Sequence, residues 1–264
     1  MIILNSIFIL ALVYLVVVLV IFFSQRKLMY HPYENNYLEE NQLNHNIEKV
    51  YIQSDFKILG WHHFKNKKFK TLLFFHGNAG NLQNRIYKLN DISKLDINYL
   101  IIAYRGFSGN EGEPNEKGLY KDSESAKKWL NDYGVSDKDI ILYGESLGTA
   151  VAIDLASKHK FAGIILESPF TSMVKLSKIY YPYLPVKILL KDRYESINKI
   201  DNIDFPKMVM HGDKDKIVPF SMGKEIFENL SEPKVSYFKE GDDHMMDFDA
   251  ELLENIQNFF KIVK

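Results

Sequence analysis

The chain has 264 residues, 46% of them hydrophobic and 25% charged, with 33 basic against 34 acidic side chains and no cysteine. One large α/β domain fits this length, because single cores stop growing near about 250 residues. A net charge of -1 without a run of five basic residues argues against nucleic-acid binding, and the lack of cysteine excludes disulfides, thiolate metal sites and a cysteine nucleophile.

Met1 to Phe23 carries no charge, and only Asn5, Ser6 and Tyr14 interrupt its apolar run. About 20 apolar residues rising 1.5 Å each cover a hydrocarbon core of about 30 Å, so residues 1–23 are expected to form a transmembrane anchor. A cleaved signal peptide would need a basic region before the run and a small-residue cleavage site after it, and neither is present. Arg26 and Lys27 follow the run, which by the positive-inside rule favours a cytoplasmic position for the rest. Phe22, Phe23 and Tyr30 are expected beside them at headgroup level. Residues 24–47 are mostly polar and lack periodicity, so they read as a connector.

From Glu48 onward, strands alternate with amphipathic helices, which predicts an α/β domain over 48–264 with a mostly parallel sheet covered on both faces. Eight strands are expected, near 48–53, 57–64, 71–76, 98–103, 139–143, 162–166, 207–211 and 234–239, the first two as a hairpin. Helices are expected near 80–95, 116–133, 147–158 and 221–230, with a last one carrying Leu252, Ile256, Phe259 and Val263 at helical spacing. Residues 168–200, rich in Phe170, Met173, Leu176, Tyr180 and Leu184, fall where a short cap would be inserted.

Gly144-Glu145-Ser146-Leu147-Gly148 lies between a strand and a helix, the setting of a nucleophile elbow. A serine hydroxyl is a weak nucleophile at neutral pH, so it needs a histidine base and a carboxylate that orients the base. His211-Gly212-Asp213-Lys214-Asp215 and Gly241-Asp242-Asp243-His244 each follow a strand, at the end of the sheet where open α/β folds place their sites. The chain order Ser146, Asp215, His244 is that of the α/β-hydrolases. The N–H groups of Leu147 and Asn78 are expected to bind the oxyanion, and His76, which precedes the serine, is assigned a structural role. Adjacent His62 and His63 sit on opposite faces of a strand, which is poor geometry for one metal. No metal motif is legible and no cofactor is expected.

Taken together, His76-Gly77-Asn78-Ala79-Gly80, Tyr104-Arg105-Gly106-Phe107-Ser108-Gly109, Glu111-Gly112-Glu113-Pro114, the serine motif, His211-Gly212 with Asp215, and His244 resemble the bud-emergence-type α/β-hydrolases over residues 48–264. The resemblance implies a membrane-anchored serine hydrolase of the carboxylesterase or acyl thioesterase type, with Ser146 as nucleophile, Asp215 as orienter and His244 as base. Protein depalmitoylases are among the relatives, so the implied substrate is a small acyl ester or an acylated protein. Asp213 competes with Asp215 for the orienting role, and the family spacing favours Asp215. Arg105 is implied to stabilise loops, while Asp242 and Asp243 stand where the family often has glycines. Two other readings remain: a catalytically inactive, membrane-tethered interaction protein, and a serine peptidase.

Overall fold

The computed structural model describes residues 1–32 and 42–263. Part of the expected connector, residues 33–41, therefore lies outside the described residues.

Helix α1 runs Ile2–Met29, six residues past the expected boundary at Phe23. Among the described residues it is the one helix long and apolar enough to cross a membrane. It stops where the chain requires it to, because His31 precedes Pro32 and the residue before a proline is pushed out of the helical region. The added turns persist because they dock. The buried Gln25 donates to the carbonyl of Leu189 at 3.2 Å and accepts from the N–H of Lys191 at 2.8 Å. Arg26 meets both carboxylate oxygens of Asp192, at 2.9 and 3.2 Å. Tyr30, expected at headgroup level, is instead buried, with its hydroxyl 2.7 Å from that of Tyr194. Ring burial with a satisfied hydroxyl outweighs the interfacial position that composition alone suggested.

Among the described residues, eight strands form one sheet: β1 Glu48–Gln53, β2 Lys57–His63, β3 Thr71–Phe75, β4 Asn98–Ile102, β5 Ile140–Glu145, β6 Gly163–Glu167, β7 Lys207–Gly212 and β8 Lys234–Lys239. Their order is β8-β7-β6-β5-β3-β4-β2-β1. Strand β2 is antiparallel to β1 and β4, and every other pairing is parallel. Every residue of β3, β4, β5 and β6 is buried, as continuous apolar runs covered on two faces require. Edge strand β1 alternates between buried Val50 and Ile52 and exposed Tyr51 and Gln53.

Helices α2 Ile86–Ile92, α3 Glu116–Asp132, α4 Leu147–Ala156, α7 Phe220–Asn229 and α8 Ala250–Ile262 accompany the sheet. The expected helix over 80–95 divides in two. Asn81 caps a 3-10 turn at Leu82–Arg85, and α2 begins only at Ile86, because the Asn81 side chain satisfies the N–H of Asn84 and turns the chain tightly. Between β6 and β7 lies the cap, with helices α5 Met173–Tyr180 and α6 Val186–Leu189. The C-terminal half of α1 packs on this cap, so the first helix is built into the domain. A two-residue parallel bridge joins His31–Pro32 to Ala79–Gly80, directly beside the loop after β3.

Candidate active site

Ser146 stands between the last residue of β5 and the first of α4, at φ 51° and ψ −114°. A non-glycine residue held there costs on the order of 1–3 kcal/mol, which the surrounding packing must impose. Its flanking glycines allow the turn. A Cβ on Gly144 would lie 2.5 Å from the carbonyl oxygen of Gly148, and a Cβ on Gly148 would lie 2.0 Å from the carbonyl oxygen of Phe75. No side chain fits at such separations, so strand and helix approach closely only with glycine at both positions. The N–H of Ser146 continues the sheet by donating to the carbonyl of Glu167 at 2.8 Å, which fixes the turn against β6.

The three expected residues meet. His244 Nε2 lies 2.9 Å from Ser146 Oγ, and His244 Nδ1 lies 2.7 Å from Asp215 Oδ2. Asp215 Oδ1 accepts the N–H groups of Ile217 and Val218, both at 2.8 Å. Its other oxygen also faces His211 Nε2 at 2.9 Å. Burial works against the charged carboxylate, but hydrogen bonds from His211, His244 and the backbone outweigh it and hold Asp215 below the usual carboxylate range. This carboxylate thus remains an acceptor able to keep a proton on His244 Nδ1 and leave Nε2 free to take one. Asp213 points elsewhere, accepting the N–H of Gly241 at 2.7 Å and the Lys214 ammonium at 3.0 Å.

The N–H of Leu147 is the first of α4, where a helix leaves its N–H groups without intrahelical partners. Asn78 is clamped by the end of α1: its side chain donates to the carbonyl of Met29 at 2.7 Å, and its carbonyl accepts from the N–H of His31 at 2.8 Å. His76 lies in the core against the rings of Tyr104 and Phe107, at 4.4 and 5.0 Å, with Nδ1 2.7 Å from the carbonyl of Gly77. Burial pushes its pKa down to about 3, so it is held neutral. Arg105 grips Asp122 through Nη2 at 2.7 Å and Asp55 through Nη1 at 3.1 Å, a loop-holding role. Asp242 and Asp243 fold their own loop, accepting the N–H groups of Asp247 and Met245 at 3.1 and 3.0 Å. His62 packs on Trp129 and Tyr133, and His63 on His45 and Tyr99, on opposite faces of β2.

Three supporting roles were not read from the sequence. Ser168 Oγ donates to the carbonyl of His244 at 3.0 Å and anchors the loop that carries this histidine. His211 fills the space beside Gly223, where a Cβ would come within 2.1 Å of its ring. Behind the elbow, the fully buried Lys88 ammonium bridges Glu145 at 2.7 Å and Glu167 at 2.6 Å, and Arg85 reaches Glu145 at 2.6 Å. Burial disfavours the charges of Lys88, Glu145 and Glu167, yet the two cations draw Glu145 below its usual range, whereas burial leaves Glu167 above it. Glu145 occupies the variable position before the serine, which was the one sequence signal available for this cluster.

Above Ser146 lies a mostly apolar cavity of about 250 Å³, walled by the cap and by Ile21, Phe22 and Met29 of α1, with Asn78 and Leu147 at its floor.

The pattern of the prolyl oligopeptidase family matches residues 91–261. An uncharacterised protein of Mycobacterium tuberculosis is 34% identical over 83% of this chain and 79% of its own length. The alpha/beta hydrolase domain-containing protein 17B of Homo sapiens is 34% identical over 72% of this chain, which spans 65% of that protein. Among solved structures, a Pyrococcus furiosus esterase superposes with a TM-score of 0.72 at 19% identity, over 89% of this chain and 98% of that one. Est1E from Butyrivibrio proteoclasticus, solved with ferulic acid bound, gives 0.68 at 17% identity over 81% and 98%. At such identities the two structures speak for the fold alone. By its match to the prolyl oligopeptidase family and by these relatives, the chain belongs to the α/β-hydrolases.

Proposed function

We propose that this hydrolase is a membrane-anchored serine esterase or thioesterase. The observation that carries the reading is the relay of 2.7 and 2.9 Å contacts from Asp215 through His244 to the strained Ser146 hydroxyl. His244 Nε2 takes the hydroxyl proton as Ser146 Oγ bonds to the carbonyl carbon of an acyl ester or acylated protein. The N–H groups of Asn78 and Leu147 receive the oxyanion. As it collapses, the bond to the leaving oxygen or sulfur breaks, and His244 returns the proton to that atom. Water then attacks the acyl-serine as His244 takes its proton, the bond from the acyl carbon to Ser146 Oγ breaks, Oγ recovers that proton and the acid leaves.

Helix α1 is the anchor in this reading, and Arg26 and Lys27 after its apolar run favour the cytoplasmic side for the domain. The test is turnover of matched ester, thioester and amide substrates by the parent and by Ser146→Ala. Ester or thioester turnover that drops by several orders of magnitude in the variant supports the reading. Faster amide than ester turnover would move the assignment to a peptidase, in keeping with the family pattern matched over 91–261. Equal rates in parent and variant would contradict it.

A further inference from the structure

Helix α1 makes more contact with the active site than a tether needs. Its residues Ile21, Phe22, Gln25 and Met29 face the cavity above Ser146, and its terminal carbonyl holds the Asn78 side chain. Lys191 of the cap sits over the Phe22 ring at 4.2 Å. Further up, the Tyr14 hydroxyl donates to the carbonyl of Tyr183 at 2.7 Å, which fixes the tip of the cap against the middle of the helix.

That contact sets a depth. Tyr14 lies nine residues before Phe23, the end of the uncharged run, which is about 13 Å along a helix axis. The hydrocarbon core is about 30 Å thick, so a level about 13 Å inside its edge is close to its middle. A cap tip at that level is below the headgroups, even after allowing for the reach of a tyrosine side chain. Its surface has the matching chemistry. Ile188 is 83% exposed and Tyr183 75% exposed, and Ile179 is exposed as well. Tyr180, Tyr181 and Ile217 line the cavity and are each about half exposed, so they stand at its mouth.

We propose that the cap is inserted beside α1 into the same leaflet and that the cavity opens to the bilayer, so the substrate is an ester or thioester of an acyl chain resident in the membrane. This rests on the hydrolase and anchor readings above. The chain enters sideways between α1 and the cap, and its carbonyl reaches Ser146 at the interface without the chain crossing water. Insertion explains why Tyr183 and Ile188 of the cap are left largely exposed, and why α1 supplies a wall of the cavity.

The absence of cysteine makes the test clean, since Ile188→Cys creates a unique labelling position. The full chain carrying a nitroxide there is placed in phosphatidylcholine vesicles, with Lys128→Cys on exposed α3 as the aqueous control. The expected result is collision with dissolved oxygen and protection from a water-soluble nickel chelate at 188, and the reverse at 128. Nickel access at 188 equal to that at 128 would overturn the proposal, and so would shielding from both reagents, which marks a contact with a second copy or another protein. The double variant Tyr183→Asp with Ile188→Asp lies outside the cavity wall. It is expected to keep acetyl-ester turnover in water within about twofold and to lose at least tenfold on a palmitoyl ester dispersed in vesicles. Equal loss on both substrates, or no loss on either, would overturn lateral uptake while leaving the hydrolase reading in place. A parent that turns over neither ester, with 188 still in lipid, would overturn the hydrolase reading and the substrate assignment with it.

Discussion

Replacing Asp215 by Asn changes one atom and should nearly abolish turnover for a reason written into the hydrogen bonds of the site. Oδ1 accepts two backbone N–H groups, from Ile217 and Val218, and Oδ2 faces the rings of His211 and His244. An asparagine amide keeps its oxygen toward the backbone donors, because the opposite orientation would set its NH2 against the N–H groups of Ile217 and Val218 and leave the part-buried one of Val218 without its acceptor. Its NH2 then points at His244 Nδ1 and requires that nitrogen to accept. The ring proton moves to Nε2, which lies 2.9 Å from Ser146 Oγ, and a protonated Nε2 cannot take the serine proton. The same exchange in other serine hydrolases costs about 10⁴ in kcat, or about 5.4 kcal/mol at about 1.36 kcal/mol per tenfold. Steady-state hydrolysis of p-nitrophenyl butyrate measures it, with thermal unfolding to verify that the variant is folded. Asp213→Asn is the control and should stay within about threefold, since Asp213 serves only Gly241 and Lys214. Asp215→Asn retaining more than about a tenth of parental activity, or Asp213→Asn losing most of it, would refute the assignment of the orienting residue.

Two further outcomes concern the support of the site. Lys88→Met leaves two buried carboxylates with Arg85 as their one remaining cation, and breaking a buried pair in this way costs about 3–5 kcal/mol. Thermal unfolding should show the loss, and it should shrink as pH falls, because Glu167, already above its usual range, can take up a proton; a loss under 1 kcal/mol would contradict this account of the cluster. His76 is held neutral with a pKa of about 3 against an ordinary 6.5, so the unfolded chain binds a proton first as pH drops. Its contribution is complete above about pH 6.5 and falls toward pH 3, by roughly 2 kcal/mol at pH 5. His76→Asn should flatten the decline of unfolding midpoint between pH 7 and 5 by about one proton, and an unchanged slope would contradict it.

The sheet was legible because its strands carry the plainest signals: buried runs such as Thr71 to Phe75 admit one reading, and a turn rich in glycine between Tyr143 and Thr149 admits few. Ser146, Asp215 and His244 were legible together because each follows a strand, and a parallel sheet delivers all such loops to one edge. Lys88 was not legible. It lies on a helix whose other residues look ordinary, and its partners Glu145 and Glu167 are 57 and 79 residues away. The role of α1 was hidden for a different reason. The cap partners of Gln25, Arg26 and Tyr14 lie more than 160 residues away, several of them backbone groups that carry no side-chain identity, and the apolar composition of α1 is fully accounted for by a membrane. Asn81 shows the same limit at short range, starting a 3-10 turn and delaying the α-helix to Ile86 where periodicity alone suggested a continuous helix.

Everything functional depends on Ser146 being more reactive than the other serines of the chain, and a fluorophosphonate reports that directly. The full-length protein in detergent is treated with the probe, digested, and the modified residue identified by mass spectrometry. The account predicts one phosphonylated residue, Ser146, with labelling abolished in Ser146→Ala and strongly slowed in His244→Ala. A folded parent that does not label, or a label that persists on another residue when Ser146 is removed, would contradict it.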